Sequence, residues 1–258
     1  MIWPTSLALD QDGQVYVADD WLHRINIFSG DGEPRGYWGT AGNGDGELNG
    51  PSGLVFDADD HLLIVDSGNN RVQKFTKDGA FLAKWGQEGS GDGEFNMPWG
   101  INIDSDGCIY VVDWRNDRIQ KFTSEGQFLL KFGASGKGEG ELDRPTGVAV
   151  DEDGLVYVTD YGNDRVQVFE RNGRFIATLD GDSTVSKWGQ MKLDANPDMW
   201  RERDVAQGLE REKRFWGPIA IQVDQSGSIF VVDSARNRIQ VYQKLDPFFL
   251  GQYDGARL

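Results

Sequence analysis

Cysteine is nearly absent from this chain of 258 residues, and histidine occurs only twice. The single thiol, Cys108, excludes an internal disulfide framework. It lies in an apolar run (residues 108–111), which predicts a small buried side chain in a strand rather than a nucleophile. The sequence also lacks a Gly-x-Ser-x-Gly nucleophile motif. These shortages count against an enzyme.

Long apolar runs and positive charge are also scarce. No stretch approaches the roughly 18 apolar residues of a membrane span, and residues 1–4 lack the basic and apolar regions of a signal peptide. We therefore expect a cytoplasmic protein without a membrane span. Lys and Arg total 26 against 42 Asp and Glu, for a net charge of −16, which disfavours nucleic acid and anionic membranes as partners.

What the chain has instead is a repeat. A block of the form Gly-x-x-x-Asp-x-x-Gly, then a β-rich run ending in Asp, then Arg-Ile/Val-Gln recurs every 47 residues. The last interval is 73 residues because extra sequence intervenes. A fixed period of this size predicts a repeat architecture. The proline that opens each block stands at Pro4, Pro51, Pro98, Pro145 and Pro218.

One block, residues 145–180, predicts four short strands. They are expected at residues 147–150, 155–159, 165–169 and 175–179. Gly, Asn and Asp between them supply turn chemistry, as at Gly154 and Asn163. Such a four-stranded antiparallel meander cannot bury both of its faces alone. The copies must therefore stack radially, which predicts an all-β fold, a β-propeller.

The repeated residues resemble the NHL repeat. The clearest copies of the pattern Pro-x-Gly-x-x-x-Asp-x-x-Gly, Tyr-Val-x-Asp and Asn-x-Arg-Ile/Val-Gln-x-Phe span Pro98–Phe122 and Pro145–Phe169, and five copies cover nearly the whole chain. The resemblance implies a propeller that usually has six blades, whereas five are encoded here. We expect one domain with repeats at about 4–50, 51–97, 98–144, 145–182 and 218–258 and a helical insertion at 183–216.

Two interpretations of the blade number stay open. Either the ring closes with five blades, or one blade is missing upstream. We expect the start of the chain to be an innermost strand and residues 248–251 to supply an outermost one. A missing blade would expose apolar flanks carrying Val15, Val17, Ile229 and Val231, and would favour self-association.

An Asp-x-x-x-x-Arg pair occurs in every repeat. A catalytic interpretation would make these residues acid and electrophile, but chemistry is rarely needed five times around a ring. We expect each pair to close the turn between the second and third strands and to tie neighbouring blades by charge-assisted hydrogen bonds. The pairs are Asp19/Arg24, Asp66/Arg71, Asp113/Arg118, Asp160/Arg165 and Asp233/Arg238.

Other motifs suggest a ligand but predict turns. Asp-x-Asp-Gly at residues 10–13, 104–107 and 151–154 is followed at once by a strand, unlike an EF-hand loop, so calcium is only weakly indicated. The Gly-x-Gly-x-Gly-Glu segments (residues 42–47, 89–94 and 136–141) open no helix and are expected to connect blades rather than bind phosphate. His23 and His61 fall in turns at opposite ends of a blade, which excludes a three-histidine zinc site. No cofactor is expected.

Aromatic residues are concentrated in the loops of one propeller end. These residues, with one neighbouring arginine, are Trp3, Trp21, Trp99, Trp114, Arg115 and Tyr161. Equivalent positions elsewhere are small, as at Ser52 and Ser67, so the repeat does not impose the aromatics. They either form a ligand surface or pack between blades.

The insertion at residues 183–216 is the one break in the repeat. Asn196-Pro197 predicts a helix start, and residues 198–215 can be helical. The insertion carries a charge of +1 and the rest of the chain −17. It is expected at the same end as the aromatics, as a lid, a docking element or a solvated decoration.

Three functions compete. The resemblance implies chiefly a non-enzymatic scaffold that binds a protein or peptide on its loop-rich face. It also includes propeller enzymes, either lyases whose metal-binding histidines this chain lacks or gluconolactonase-type hydrolases with an acidic, Asn-lined central metal site. RNA binding needs a basic face and meets a net charge of −16.

Overall fold

Four four-stranded antiparallel sheets and one three-stranded sheet form the body of the computed structural model, which describes residues 1–183, 187–196, 198–199, 201, 205 and 210–244. Each sheet is a meander whose strands pair in sequence order. Neighbouring sheets pack side by side through their first strands, as blades do in a β-propeller. The predicted fold class, an all-β propeller of five blades, is confirmed.

The blades follow the chain in order. Blade one consists of β1 Pro4–Leu9, β2 Val15–Asp19, β3 Arg24–Phe28 and β4 Pro34–Trp38. The connector after it holds a short parallel pair, β5 Thr40–Ala41 and β6 Glu47–Leu48. Blade two consists of β7 Pro51–Phe56, β8 His61–Asp66, β9 Arg71–Thr76 and β10 Phe81–Trp85.

The later blades repeat this plan. Blade three consists of β11 Pro98–Ile103, β12 Ile109–Asp113, β13 Arg118–Phe122 and β14 Phe128–Phe132. Blade four consists of β15 Pro145–Val150, β16 Val156–Asp160, β17 Arg165–Phe169 and β18 Phe175–Leu179. Blade five shows β19 Pro218–Val223, β20 Ser228–Asp233 and β21 Arg238–Gln243. The outermost strand predicted at residues 248–251 lies outside the described residues.

The turns between first and second strands owe their shape to aspartate and glycine. In blade three, Asp104 Oδ1 accepts hydrogen bonds from the N–H groups of Asp106 (3.0 Å) and Cys108 (2.8 Å). Gly107 closes the turn with φ at +80°, a conformation that costs glycine little. The first aspartate of the Asp-x-Asp-Gly motif thus accepts hydrogen bonds from backbone N–H groups of its own turn.

The hydrophobic core is divided into four clusters, one at each junction between adjacent blades. Leu63 and Val72 of blade two, for example, pack against Ile101 and Ile109 of blade three. The first strands approach closely because they carry glycine. A Cβ on Gly100 would lie 2.5 Å from the carbonyl oxygen of Thr146. Packing between blades, rather than within one sheet, therefore holds the fold together.

Of the four apolar residues predicted to be exposed on the flanks of the end blades, only two are exposed. Val15 and Val17 on blade one are partly exposed, but Ile229 and Val231 are buried against blade four. The outward face of blade five carries Phe230, which is exposed. Because side chains alternate along a strand, the expectation for blade five chose the wrong face.

The insertion departs from its predicted helix in two ways. Helix α1 spans Lys187–Ala195, ahead of the expected start, and a short helix α2 spans Glu210–Lys213. Asn196 does cap a helical residue, accepting a hydrogen bond from the Asp198 N–H at 3.2 Å. Phe215 is not helical because its N–H donates to the carbonyl oxygen of Asp180.

Candidate binding surface

One end of the propeller gathers most of the predicted site residues. Each first strand begins where the second strand ends, since Pro98 pairs with Asp113, Pro145 with Asp160, and Pro218 with Asp233. The turns from second to third strand and the blade-to-blade connectors therefore emerge together. We call this the connector end.

Four of the five Asp/Arg pairs form ion pairs at this end, each with a fully buried carboxylate. Arg Nε lies 2.7–2.8 Å from the carboxylate in Asp66/Arg71, Asp113/Arg118, Asp160/Arg165 and Asp233/Arg238. Asp113 illustrates the network, because its carboxylate also accepts from the side chains of Asn116 and Gln120 and from the N–H of Asn96. Both oxygens of the Asp113 carboxylate are thus held in structural hydrogen bonds.

Each of these arginines also holds the preceding connector. Arg118 donates to the carbonyl oxygens of Ser90 (2.7 Å), Gly91 (2.8 Å) and Glu94 (2.9 Å). Arg238 does the same to the end of the insertion, through the carbonyl oxygens of Glu212 and Arg214. The arginine thus joins its own blade to the chain arriving from the blade before.

The pair of blade one is different. Arg24 Nε donates to Asn26 Oδ1 at 3.0 Å, and its guanidinium lies 4.0 Å from the ring centroid of Tyr37. Asp19 instead accepts from backbone N–H groups of Ile2 and Trp3. Burial disfavours its charge, but these donors lower the pKa of Asp19 below its ordinary value. The predicted Asp19/Arg24 ion pair does not form among the described residues, because the Arg24 guanidinium lies on Asn26 and Tyr37 instead.

His23 has a structural position in the same turn. It shares a left-handed backbone, with φ between 49° and 55°, with four equivalent residues: Asn70, Asp117, Asp164 and Asn237. His23 Nδ1 accepts a hydrogen bond from the Gly50 N–H at 2.9 Å, as Asp117 Oδ1 accepts one from the backbone N–H of Arg144 at 2.7 Å. The histidine does the work that Asn or Asp does elsewhere.

Trp99, Trp114 and Arg115 form one cluster. The two indole rings lie 6.4 Å apart, and the Arg115 guanidinium stacks over Trp114 at 5.3 Å. Both tryptophans are partly exposed and Arg115 is exposed. Neither tryptophan is sequestered between blades, so both present aromatic surface at the connector end.

Two further stacks of arginine on an aromatic ring lie at the same end. Arg144 lies 5.7 Å from the ring of Tyr161, and Arg236 lies 5.5 Å from Trp216. Tyr161 also borders Gly217, where a Cβ would come within 3.2 Å of its ring. Sequence reasoning missed Arg144, Trp216 and Arg236, because each aromatic ring and its arginine come from different positions of the repeat.

Trp3 and Trp21 are exposed on blade one. Within the described residues neither forms a ring contact with the other predicted aromatics. The structure brings together the aromatics of blade three with each other, but not all six predicted residues into one site.

A cleft of about 550 Å³ lies beside the Trp216 stack. Its arginines are Arg211, Arg214 and Arg236, and its acids are Asp164 and Asp180. Arg236 Nε is buried without a hydrogen-bond partner among the described residues. The cleft exists where the insertion rejoins the ring, and it carries more positive than negative charge in an otherwise acidic chain.

Within the described ranges, two clusters of three side chains have a spacing that could hold a metal ion. Asp10, Asp12 and Asp60 share Lys77, whose Nζ lies 2.9 Å from Asp12 and 3.1 Å from Asp60. Hydrogen bonds to these carboxylates raise the pKa of Lys77 above its ordinary value. An ammonium group already supplies the cation here.

A lysine ammonium group also lies in the second cluster. Lys74 Nζ lies 2.6 Å from Asp57, which belongs with Asp59 and His61. His23 belongs to neither cluster.

Burial raises the pKa of the Cys108 thiol. A nucleophilic cysteine needs a lowered pKa, so the environment of Cys108 does not activate it.

The comparisons with known proteins agree with this architecture. The NHL repeat family matches at residues 48–75, 95–122 and 142–169, so the chain contains NHL repeats. A search of curated proteins found no match. None of the helices in the described part of the chain is long and apolar enough to cross a membrane.

Solved structures with the same fold have different activities. The chain is similar to virginiamycin B lyase from Staphylococcus aureus, with 14% identity, TM-score 0.57, and coverage of 95% of this chain and 71% of that one. It is similar to a gluconolactonase from Xanthomonas campestris, with 16% identity, TM-score 0.61, and coverage of 94% and 73%. It is also similar to a chain of a nidogen/laminin complex, with 20% identity, TM-score 0.56, and coverage of 93% and 80%. Likeness at these identities shows the fold alone.

Proposed function

We propose that this protein is a non-enzymatic scaffold that binds a protein or peptide at its connector end. The observation that carries the proposal is the row of three arginine-on-aromatic stacks in consecutive blades, at Trp114, Tyr161 and Trp216. Solvent-accessible tryptophan, tyrosine and arginine are the residues most enriched where protein interfaces gain their binding energy.

The chemistry of the surface favours a peptide over a polyanion. The stacked arginines offer planar donors for carbonyl and carboxylate oxygens, while the indole rings offer apolar surface. The net charge of −16 opposes nucleic acid at long range. The similar chain of the nidogen/laminin complex supports the proposal, because it is a protein of the same fold that takes part in a protein complex.

The central test is capture of partners from cell extract by immobilised protein, followed by affinity measurement with the purified partner. Trp114→Ala should weaken binding by about 2 kcal/mol, which is roughly a thirtyfold rise in Kd. Leu129→Ala is the matched control, because Leu129 is an exposed apolar residue on the outer strand of the same blade. Equal affinity of both variants would place the binding site elsewhere.

The insertion can be tested separately. The 73-residue interval exceeds the 47-residue period by 26, and deleting residues 185–210 restores the period. The carbonyl oxygens that Arg238 contacts stay in the chain. If the insertion takes part in docking, this deletion changes affinity while thermal unfolding of the ring stays the same. Unchanged affinity would identify it as a decoration.

A further inference from the structure

The connector that enters blade five departs from the repeat in its charge. The connectors before blades two, three and four each carry a glutamate, whose carboxylate accepts a hydrogen bond from a backbone N–H of the same glycine-rich segment at 2.8 Å. These residues are Glu47, Glu94 and Glu141. The equivalent residue before blade five is Arg214, which is exposed. The charge at this position is therefore reversed.

The turn of blade five departs from the repeat at the same corner. In blades two to four, an asparagine in the turn between the second and third strands donates to the preceding connector and to the aspartate of its own blade. Arg236 takes this position in blade five, and Trp216 stands where the other connectors have an asparagine or an aspartate. The fold of the repeat therefore requires neither Arg236 nor Trp216.

These departures meet in the cleft of about 550 Å³, which Arg211, Arg214, Trp216 and Arg236 line together. Arg236 donates to the carbonyl oxygen of Arg211, and its guanidinium lies 5.5 Å from the centroid of the Trp216 ring. The Nε of Arg236 is buried without a hydrogen-bond partner among the described residues. A buried donor without an acceptor costs free energy, so a ligand that brings an acceptor to this guanidinium is favoured.

The charge of the cleft matches a single carboxylate. Its lining has three arginines and two aspartates, Asp164 and Asp180, and so carries a net charge of +1. One carboxylate oxygen of Asp164 already accepts a hydrogen bond from the Gly217 N–H at 2.7 Å. A carboxylate ligand neutralises the excess positive charge. A phosphate group, with a charge of about −1.5 to −2 at neutral pH, would leave negative charge beside two aspartates.

We propose that this cleft binds the carboxylate of an aspartate or glutamate side chain in the protein or peptide partner. The inference rests on the proposed function and adds to it the chemistry of one recognised residue. Guanidinium groups bind carboxylates through paired, charge-assisted hydrogen bonds. The Trp216 ring, 57% exposed, offers apolar surface to the methylene groups of the same side chain. The acidic residue would lie at the blade-five end of the row formed by Trp114, Tyr161 and Trp216.

Titration with blocked single amino acids tests the cleft without any partner. The probe is N-acetyl-glutamate α-amide, and the corresponding glutamine compound is its uncharged control. The N–H resonance of Arg236 Nε, assigned by its loss in Arg236→Asn, should shift with the glutamate probe but not with the glutamine one. The shift should shrink in high salt because salt screens the charges. The absence of a shift would overturn the proposal, whether or not a partner binds at Trp114. Tighter binding of N-acetyl-phosphoserine amide would also overturn it, in favour of a phosphate site.

Two variants that restore the residues of the other blades test the same cleft with the purified partner. Arg214→Glu and Arg236→Asn should both fold like the unmodified protein, which thermal unfolding checks, and each should weaken binding about tenfold. Arg35→Glu makes the same charge change as Arg214→Glu on the exposed outer strand of blade one and should leave the affinity unchanged. A partner that loses affinity in Trp114→Ala but not in Arg214→Glu would contradict the carboxylate site and leave the scaffold function standing.

Discussion

Blade one and blade three carry the same sequence pattern but different interactions. Arg118 in blade three is buried, pairs with Asp113 and holds three carbonyl oxygens, whereas Arg24 in blade one lies on an exposed tyrosine. The two blades share a meander of the same strand lengths after the first strand's turn. The repeated residues therefore form their full set of contacts only where an adjacent blade and its connector pack against them.

The largest effect that separates the two situations should come from an apolar truncation. Ile119→Ala removes a fully buried side chain from the junction of blades three and four and should lower the free energy of unfolding by about 3 kcal/mol. Ile239→Ala changes the equivalent residue of blade five, which is exposed, and should cost less than about 0.5 kcal/mol. Urea unfolding of dilute protein measures both. Similar losses would mean that the flank of blade five is covered.

A smaller difference should separate the arginines. Arg118→Ala leaves the carboxylate of Asp113 buried without its cation and should cost about 2 kcal/mol. Arg24→Ala removes only an exposed stack and one hydrogen bond, so the loss should be about 0.5 kcal/mol. The urea midpoints of the two variants provide the measurement. A loss of binding without a loss of stability in Arg118→Ala would instead assign this arginine to the ligand surface.

The smallest effect concerns pH and blade one. Because its folded-state pKa is lowered, Asp19 stabilises the fold above its unfolded pKa of about 3.9, and this contribution is lost as pH falls through the folded value. Asp19→Asn should therefore unfold more readily near neutral pH but lose less of its remaining stability on acidification. Urea midpoints between neutral and acidic pH give the comparison. Parallel pH profiles would show that Asp19 contributes nothing to acid sensitivity.

The sequence was sufficient to predict the blades, because a 47-residue period and turn residues repeat without ambiguity. It also located the Trp99 and Trp114 cluster, since both residues depart from small residues at equivalent positions. The sequence could not predict that Arg24 contacts Tyr37 and Asn26 rather than Asp19. The contacts of this arginine depend on the chain segment packed beside it and not on the local sequence pattern. The Trp216 and Arg236 stack was hidden for a related reason, as its two members are distant in sequence and meet only at the end of the insertion.

The base of the insertion has a practical consequence. Ser183 N–H donates to the carbonyl oxygen of Lys213 at 3.1 Å, and Phe215 N–H donates to that of Asp180 at 2.9 Å, so both ends of the long excursion are pinned side by side. The 26 additional residues leave the register of the next blade undisturbed, since Trp216 and Asp233 still pair as Asn96 and Asp113 do. This is a natural grafting point, where a fluorescent reporter or a foreign recognition loop replacing residues 185–210 would be displayed beside the aromatic row without altering the scaffold that carries it.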